Sequence, residues 1–413
     1  MAEDTSNQSG QRVRLEDKPT GPLAGVKVVD FTAVYSGPLA SSMLADQGAE
    51  VIKIEPARGD LMRKAIPRQN GVSSSYLTLN RNKRSLSIDL GTEAGVKIAR
   101  QLIAQADVVM ENFRPGVMQR LGLSYEDVRE GHNKLVYVSI TGVGAEGPYA
   151  KRRVYDAVIQ AISGFATLPQ DGRPALVNNL VCDKITALTA AEAVVAALFQ
   201  AERSGQGQRV ELSMLDASLF FLWSDAMGNF TFLEDDAEQV AYADMSQYIR
   251  ETKDGFVASM PVQQAEVEGA LRALGLETLI GDERFKDFES RARNRQLMKD
   301  MTDQAYKSYT TDEICARLEA EDVPYSNVNL RHEVVDDPQI AAMGALWEFD
   351  HPVSGRTRQP RPPAQFSKTP SNFHQPTALL GQHNDEILGA LGYDADAVAA
   401  LYEAGVLYRE GEG

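Results

Sequence analysis

Val26-Lys27-Val28-Val29-Asp30-Phe31 is followed along the chain by Ser36-Gly37-Pro38 and then by Val51-Ile52-Lys53-Ile54-Glu55. The first and last of these stretches are short and rich in β-branched residues, which predicts two buried strands. The middle stretch opens a predicted helix at about residues 39–47, because proline is tolerated in the first helical turn, and Gly48 ends the helix. Strand, helix and strand within about 30 residues predict a βαβ unit with a parallel sheet.

The alternation of strand and helix continues along the chain. Further predicted strands are short apolar runs, and helical segments separate most of them. We predict strands at about residues 85–89, 108–112, 135–141 and 208–213, and helices at about 92–106, 157–165 and 183–202. This pattern is typical of an α/β domain of doubly wound type, whose parallel strands are covered on both faces.

The sequence changes character after about residue 230. Lys253-Asp254-Gly255 predicts the turn of a β-hairpin, and charged helical segments follow from about residue 265 to residue 320. We therefore expect a smaller α/β domain at residues 231–339 and a large domain formed by residues 21–230 and 340–413. The proline-rich segment Gln359-Pro360-Arg361-Pro362-Pro363 is interpreted as an extended strap over a surface.

Composition excludes several classes of function. The formal net charge of −16 argues against a general nucleic-acid or membrane-surface binder, since both need a basic surface. Residues 1–20 are polar and are interpreted as a loose tail. The sequence contains no run of about 18 apolar residues, so no membrane span is predicted. Cys182 and Cys315 form no CxxC pair, which favours a reducing, cytoplasmic location. The five histidines are scattered, so no metal site is expected.

Three polar segments lie beside predicted strands, where α/β folds place ligands. Each also has a purely structural interpretation: a tight turn, a solvated charge run and a loop with a packed phenylalanine, respectively. Arginine and lysine would hold phosphates, and an aromatic ring would stack on an adenine. The segments are Thr32-Ala33-Val34-Tyr35-Ser36-Gly37-Pro38, Leu79-Asn80-Arg81-Asn82-Lys83-Arg84-Ser85, and Glu111-Asn112-Phe113-Arg114-Pro115-Gly116 with Arg120.

Asp183 lies at the start of the predicted alanine-rich helix. Aspartate at this position most often caps the helix by accepting a hydrogen bond from a backbone N–H group. The alternative is a carboxylate nucleophile, which backbone N–H groups at the helix start would support. The residues alone leave both interpretations open.

Seven motifs occur together in the order and spacing of the class III CoA-transferase family, which includes formyl-CoA transferase and alpha-methylacyl-CoA racemase. The resemblance extends from residue 21 to about residue 385. The motifs are Gly21-Pro22-Leu23-Ala24-Gly25-Val26-Lys27-Val28-Val29-Asp30, Ser36-Gly37-Pro38, Gly48-Ala49-Glu50-Val51-Ile52-Lys53-Ile54-Glu55, Asn82-Lys83-Arg84-Ser85, Glu111-Asn112-Phe113-Arg114-Pro115-Gly116, Tyr155-Asp156 and Gly381-Gln382-His383-Asn384-Asp385.

The resemblance implies a Rossmann-like large domain, a smaller domain and an interlocked homodimer whose terminal segment packs on the large domain. It implies that Asp183 is the nucleophile, that a coenzyme A thioester is a substrate, and that no cofactor or metal is permanently bound. Tyr35 and Tyr155 are expected to contact the acyl substrate. The residues expected to contact coenzyme A are Val34, Arg58, Lys83, Asn112, Phe113, Arg120, Leu121 and Arg153.

The sequence departs from formyl-CoA transferase at three places. Pro56 stands where that enzyme has an arginine that contacts coenzyme A, so Arg58 is expected to substitute for it. Tyr35 replaces a glutamine, and no glycine-rich lid is found near residues 242–248. The formyl and oxalate substrate pair is therefore not expected.

Two other functions remain as alternatives to CoA transfer. The first is a racemase or epimerase of the same family, which needs two acid/base groups beside the acyl alpha-carbon. Tyr155 stands where the racemase has histidine, and Gln263 lies near the position of its glutamate. Tyrosine is a poor base near neutral pH and glutamine does not titrate, so the residues favour the transferase. The second alternative is a non-catalytic protein that only binds coenzyme A.

Overall fold

A computed structural model of the chain describes residues 10–16, 18–167, 172–234, 239 and 245–410. The chain divides into two compact units, a larger one from Met1–Phe232 and Ala341–Gly413, and a smaller one from Leu233–Ile340. Residues 1–9 and 17 of the predicted tail lie outside the described residues, and so do residues 242–244 of the segment 242–248, where no lid was predicted.

Fourteen strands occur among the described residues. In chain order they are β1 (Gln11–Arg12), β2 (Lys27–Asp30), β3 (Glu50–Glu55), β4 (Arg68–Gln69), β5 (Val72–Ser73), β6 (Lys83–Ser87), β7 (Val108–Glu111), β8 (Val136–Thr141), β9 (Arg209–Ser213), β10 (Ile249–Glu251), β11 (Phe256–Ser259), β12 (Tyr325–Asn327), β13 (Leu346–His351) and β14 (Gly355–Pro360).

Fifteen α-helices occur in the same described ranges. They are α1 (Ser36–Asp46), α2 (Ser74–Asn80), α3 (Glu93–Ile103), α4 (Val117–Leu121), α5 (Tyr125–Val128), α6 (Asp156–Ser163), α7 (Val181–Ser204), α8 (Met214–Ala226), α9 (Gln264–Ala273), α10 (Phe288–Arg293), α11 (Arg295–Tyr306), α12 (Thr311–Ala320), α13 (Pro338–Ala342), α14 (Asn384–Ala390) and α15 (Ala395–Glu403).

The larger unit is organised around a six-stranded sheet with the order β6-β3-β2-β7-β8-β9. Every neighbouring pair in this sheet is parallel, which confirms the predicted parallel α/β architecture. The chain runs outward from β2 to β3 and β6, and then returns to the other side of β2 to form β7. The direction of winding therefore reverses between β2 and β7, and the crevice at their carboxyl ends is the expected ligand site of such a sheet.

Helices cover both faces of this sheet, because neighbouring residues of one strand point to opposite faces. Val28 packs into a core formed with α1 and α7, whereas Val29 packs into a core formed with α3 and α14. Alanine residues of α7 line the first core, and their small side chains let the helix lie close to the sheet. They are Ala187, Ala190, Ala191, Ala197 and Ala201.

The chain termini join the larger unit. The Asn384 side chain accepts a hydrogen bond from the Ser87 N–H (2.9 Å) and donates one to the Tyr408 carbonyl (2.8 Å), which fixes the C-terminal segment to β6. Strand β1 pairs in parallel with β13, so the tail prediction is wrong for Gln11 and Arg12. The first two residues of the predicted strap, Gln359 and Pro360, are instead the last residues of β14 and pair with β13.

The smaller unit contains an antiparallel sheet with the order β10-β11-β12. The predicted hairpin is confirmed, since the Thr252 N–H donates to the Gly255 carbonyl (3.0 Å) between β10 and β11. Helices α9 and α12 pack on this sheet through a core that includes Val257, Leu274 and Leu318.

Two helix starts differ from the prediction in ways that matter for the candidate site. Helix α1 begins at Ser36, so its first N–H groups face the end of β2. Gly37 is required there because a Cβ atom would lie 2.3 Å from Thr32. Helix α7 begins at Val181, two residues before Asp183. Asp183 therefore lies inside the first turn and does not cap the helix.

Candidate active site

The loop that follows β2 is held by the residue that follows β7. The Asn112 side chain accepts a hydrogen bond from the Ala33 N–H (2.9 Å) and donates one to the Ala33 carbonyl (2.8 Å). Both the Oδ1 and the Nδ2 atom of Asn112 therefore form a hydrogen bond with the backbone of this loop. Asn112, predicted to contact coenzyme A, instead positions the backbone that borders the crevice.

Val34 adopts a backbone conformation that β-branched residues rarely adopt. Its φ angle is +73°, and its N–H donates to both carboxylate oxygens of Asp60 (3.2 Å each). A left-handed conformation costs a non-glycine residue about 1–2 kcal/mol. The bonds from Asn112 and Asp60 to this loop supply the constraint that maintains the strain, and such strained residues concentrate at functional sites.

A buried ionic network supports this loop from below. The Lys53 ammonium group donates to the Thr32 carbonyl (2.8 Å) and pairs with Asp60 (3.1 Å). Burial alone would lower the pKa of Lys53, but the neighbouring Asp60, Asp30 and Glu55 carboxylates raise it above its ordinary value. Lys53 is therefore charged and fixes the loop to the sheet.

Lys83 belongs to the same network, which corrects the prediction that its side chain contacts coenzyme A. Its ammonium group is buried, pairs with Asp30 (3.2 Å), and donates to Ser41 (2.8 Å), Asn80 (3.0 Å) and the Pro38 carbonyl (2.8 Å). Burial lowers the pKa of Lys83 to about 8, against the opposing effect of Asp30. The Lys83 ammonium group therefore interacts with buried partners inside the protein and does not face the crevice.

The other cations of the predicted phosphate-binding segment are also paired. Arg81 makes an ion pair with Asp46 (2.6 Å), and both side chains are buried. Arg84 pairs with Glu386 (2.9 Å) in α14. The run of three cations therefore joins β6 to neighbouring elements of the larger unit, which spacing along the chain could not reveal.

A cavity of about 630 Å³ opens at the carboxyl ends of β2, β3 and β7. Two exposed cations, Arg58 and Lys64, line it, and neither forms an ion pair with the residues that the structure describes. Lys64 was not identified from the sequence, where it has no motif around it. Of the predicted site residues, the cavity brings together Val34, Arg58, Phe113, Leu121 and Tyr155.

Arg120 and Arg153 are exposed and do not line this cavity. Arg120 immediately precedes Leu121 in the short helix α4, whose Val117 and Leu121 line the cavity. Arg153 precedes Tyr155, which is 64% exposed and lies immediately before α6. Both arginines remain candidates for contact with a ligand that extends beyond the cavity.

Asp183 lies where the starts of α1 and α6 meet α7. The hydroxyl and the backbone N–H of Ser36 lie near its carboxylate and act to lower its pKa. The Asp183 N–H donates to the buried Asp156 carboxylate (2.9 Å). Burial, followed by the negative charge of Asp156, raises the pKa of Asp183 to about 6, while Ser36 opposes the shift.

Tyr35 completes this cluster. Burial and then the negative charges of Asp183 and Asp156 raise the pKa of its phenol, so the hydroxyl stays protonated near neutral pH. The sequence predicted Tyr35 and Asp183, but it did not assign a function to Ser36 or Asp156. Both residues belong to motifs that the sequence contains, Ser36-Gly37-Pro38 and Tyr155-Asp156, and those motifs were the available signal.

The arrangement provides a carboxylate that is suited to nucleophilic attack. A carboxyl group with a pKa of about 6 is about nine-tenths ionised at pH 7 and is more basic than an ordinary aspartate. Ser36 and the first turn of α1 supply hydrogen-bond donors beside it. Such a group can form and release an acyl bond.

Comparison with known proteins identifies the family. The model of CoA-transferase family III matches residues 23–384. The chain belongs to this family. It is 34% identical to a human succinyl-CoA:glutarate CoA-transferase, covering 94% of this chain and 90% of the relative. It is 31% identical to a formyl-CoA:oxalate CoA-transferase from Bradyrhizobium diazoefficiens, covering 94% and 98%.

The fold is shared with solved structures of the family. A CAIB/BAIF family protein from Brucella suis has a TM-score of 0.77 at 30% identity, covering 90% of this chain and all of that one. The protein Rv3272 from M. tuberculosis has a TM-score of 0.79 at 28% identity, covering 90% of this chain and all of that one. These two matches support the mixed α/β fold with its parallel sheet.

Gln263, which was compared with a racemase glutamate, belongs to the smaller unit. It lies immediately before α9, and its backbone N–H donates to the Glu266 carboxylate (2.9 Å). Among the residues that the structure describes, no group of three or more histidine, cysteine, aspartate and glutamate side chains is arranged to hold a metal ion. No helix in the described ranges is long and apolar enough to cross a membrane.

Proposed function

We propose that this CoA-transferase moves coenzyme A between two carboxylic acids through a covalent intermediate on Asp183. The observation that carries the proposal is the environment of the Asp183 carboxylate: it lies in the first turn of α7 with Ser36 and the buried Asp156 beside it, and its pKa is raised to about 6. Membership of the family supplies the reaction class. Ionised at neutral pH and partly withdrawn from water, the group is prepared to attack a thioester carbonyl.

The proposed reaction has four acyl-transfer steps. An Asp183 oxygen attacks the thioester carbonyl, the carbon–sulfur bond breaks, and a mixed anhydride and the coenzyme A thiolate form. The thiolate then attacks the Asp183 carbonyl carbon, which releases the first carboxylate and leaves an aspartyl thioester. The incoming carboxylate attacks the carbonyl carbon of this thioester, the carbon–sulfur bond breaks, and a second mixed anhydride and the coenzyme A thiolate form. The thiolate finally attacks the acceptor acyl carbon of that anhydride, and the bond from this carbon to the Asp183 oxygen breaks. Asp183 is regenerated as a carboxylate.

The crevice is proposed to bind coenzyme A. The strained loop at Val34 and the ring of Phe113 border the cavity of about 630 Å³, and Arg58 and Lys64 supply positive charge for phosphates. Arg120, Leu121 and Arg153 extend the proposed contact surface, and Asn112 acts by holding the loop. Coenzyme A enters as a substrate thioester, and no permanently bound cofactor is proposed.

We propose dicarboxylic acids longer than oxalate, such as succinate and glutarate, as the substrate class. Relatives named as transferases between succinate and glutarate come from human and Agrobacterium fabrum, at 34% and 31% identity over at least 90% of this chain. Relatives named for formyl-CoA and oxalate are nearly as similar, at 31% and 30% identity. Tyr35 beside Asp183 is the proposed reason for excluding the formyl and oxalate pair, and Tyr155 is the proposed second contact with the acyl group.

A homodimer is proposed as the working form of the protein. Helices α7 and α8 expose large apolar side chains, among them Phe199 (63% exposed), Phe220 (85%) and Phe221 (55%). Large apolar side chains exposed in such numbers are consistent with an interaction surface. Both cysteines are free thiols, which is consistent with the expected cytoplasmic location. Light scattering coupled to size exclusion is expected to give twice the mass of one chain.

The covalent intermediate provides the test of the proposed reaction. Incubation with succinyl-CoA, trapping with hydroxylamine and peptide mass analysis are expected to locate a modification on Asp183. Asp183→Ala is expected to lose transfer by several orders of magnitude while keeping its circular dichroism spectrum. Asp225→Asn, an exposed position on α8, is the matched control and should retain full activity.

The same sample distinguishes a transferase from a racemase. In deuterated water, a 2-methylacyl-CoA is expected to show no exchange of its alpha-proton, because Tyr155 and Gln263 replace the residues of the racemase acid/base pair. Rapid deuterium incorporation without a trapped adduct would overturn the proposal in favour of the racemase. Coenzyme A binding with neither exchange nor adduct would indicate a non-catalytic binder.

A further inference from the structure

Asp156 is a second carboxylate beside Asp183 that the proposed reaction does not use. It is the first residue of α6 and is 2% exposed. One carboxylate oxygen accepts the Asp183 N–H (2.9 Å), and the other accepts the Gln160 side-chain N–H (2.6 Å). Its position therefore joins the first turn of α6 to the first turn of α7.

Asp156 stabilises the start of α7 where that helix has no cap of its own. Leu180 occupies the N-cap position and offers no side-chain acceptor, so the first N–H groups of α7 need partners from elsewhere. Asp156 accepts one of them. Gln160 extends the connection, because its side chain donates to the Asn179 carbonyl (2.9 Å) and accepts from the Val177 N–H (2.9 Å).

This structural role does not explain why the residue is an aspartate. Both hydrogen bonds that Asp156 accepts come from neutral amide groups, and no ion pair within 4.0 Å is formed with a cation of the described residues. A neutral acceptor such as serine or asparagine caps a helix equally well. Placing an unpaired carboxylate in a buried site is costly, so its charge calls for another function.

We propose that Asp156 is a positioning residue that fixes the first turn of α7 on α6 and places a second negative charge against Asp183. The proposal rests on the proposed role of Asp183 as nucleophile. Repulsion between the two carboxylates exists only while Asp183 is ionised, and it disappears when an Asp183 oxygen becomes part of an anhydride or thioester. Asp156 thereby favours the acylated forms of the enzyme over the free carboxylate.

The other titratable groups around Asp183 do not supply this charge. Tyr35, immediately before α1, and Cys182, in α7, both have pKa values raised above the ordinary range, by burial first and by the two aspartates next. Both are neutral at physiological pH. Lys184, the following residue of α7, donates to the Asn179 side chain (2.5 Å). Asp156 is therefore the charge that acts on Asp183 in this cluster.

The test measures the titration of Asp183 without using activity. A water-soluble carbodiimide reacts with protonated carboxyl groups, and peptide mass analysis quantifies labelling of Asp183 between pH 4.5 and 8. Wild-type labelling is expected to have its midpoint at about pH 6. Asp156→Asn keeps the acceptor for the Asp183 N–H and removes the charge, so the midpoint is expected to fall by about 1 pH unit.

Gln160→Met is the matched control, because it removes the connection to residues 177 and 179 but leaves the Asp156 charge in place. It is expected to lower the transfer rate without moving the labelling midpoint. Asp156→Glu is expected to restore part of the shift that Asp156→Asn causes. Should Asp156→Asn fail to fold by circular dichroism, Asp156→Ser is a second charge-free variant with the same expected shift.

An unchanged midpoint in the charge-free variant, or an equal shift in Gln160→Met, would overturn the proposal. Failure of the proposed function gives a different result, namely a wild-type protein that forms no trapped adduct on Asp183 with any acyl-CoA. If the adduct forms but the midpoint does not move, the function stands and Asp156 is only a helix cap.

Discussion

Asp183→Asn is expected to make the protein more stable at neutral and alkaline pH while removing its activity. In the folded protein, burial and the neighbouring Asp156 raise the pKa of Asp183 from 3.8 to about 6. A carboxyl group with a raised pKa stabilises the folded state only while it is protonated. That stability is present below the pKa of the unfolded chain and is lost as the pH rises through the folded value.

The magnitude follows from the size of this shift. One pKa unit corresponds to about 1.4 kcal/mol, so the shift of about 2 units costs the wild-type protein about 3 kcal/mol above pH 7. At pH 5, where the native carboxyl is mostly protonated, the cost is about 1.5 kcal/mol by the same linkage. The free-energy advantage of Asp183→Asn should therefore grow by about 1.5 kcal/mol between pH 5 and pH 8.

Urea unfolding at pH 5, 6, 7 and 8, followed by far-ultraviolet circular dichroism, measures this difference. Comparing the change across pH removes any effect of the asparagine side chain that does not depend on pH. Asp225→Asn carries the same substitution at an exposed position of the larger unit and should show a pH-independent difference. An advantage of Asp183→Asn that stays constant or shrinks from pH 5 to pH 8 would refute the reasoning.

Three further predictions concern the crevice. Val34→Gly relieves the left-handed strain of about 1–2 kcal/mol, so the melting temperature should not fall below that of Val34→Ala, while KM for acyl-CoA rises because the loop is looser. Asn112→Leu leaves the part-buried N–H and carbonyl groups of Ala33 without their partner and should lower kcat/KM about tenfold, with a smaller loss in Asn112→Asp. Lys83→Met removes the ion-pair partner of the buried Asp30 and should destabilise the fold by about 3–5 kcal/mol. Arg58→Ala and Lys64→Ala should keep the melting temperature and should weaken acyl-CoA binding at low salt only. If calorimetry and binding titrations give the opposite pattern, Lys83 belongs to the ligand site.

The parallel sheet could be predicted from the sequence because its signal is local. Runs such as Val26–Phe31 and Val51–Glu55 alternate with helical segments, and buried parallel strands require this pattern whatever surrounds them. The boundary near residue 233 and the hairpin at residues 253–255 were likewise encoded by turn residues and composition. Element ends were less well determined: the helix that carries Asp183 begins two residues earlier than predicted.

The candidate site could be predicted only in outline. The sequence identified Asp183 and several residues of the crevice because they occupy recognisable motifs at strand ends. It could not separate a cation that binds a ligand from one that is paired inside the protein. Lys83 was therefore wrongly assigned to the ligand site, and Lys64, which lines the cavity, was missed. Pairing depends on which side chain lies opposite in space, and the partner of Lys83 is 53 residues away.

What the sequence determined by itself is the parallel sheet and the family, and it also supplied the candidate carboxylate, Asp183. What only the tertiary structure decided is the environment of that carboxylate. Asp183 gains its raised pKa from burial and from Asp156, 27 residues earlier, while Ser36 approaches it from a third helix. Desolvation and electrostatic interaction depend on distance in space, and three helix starts have to meet before either can act on Asp183.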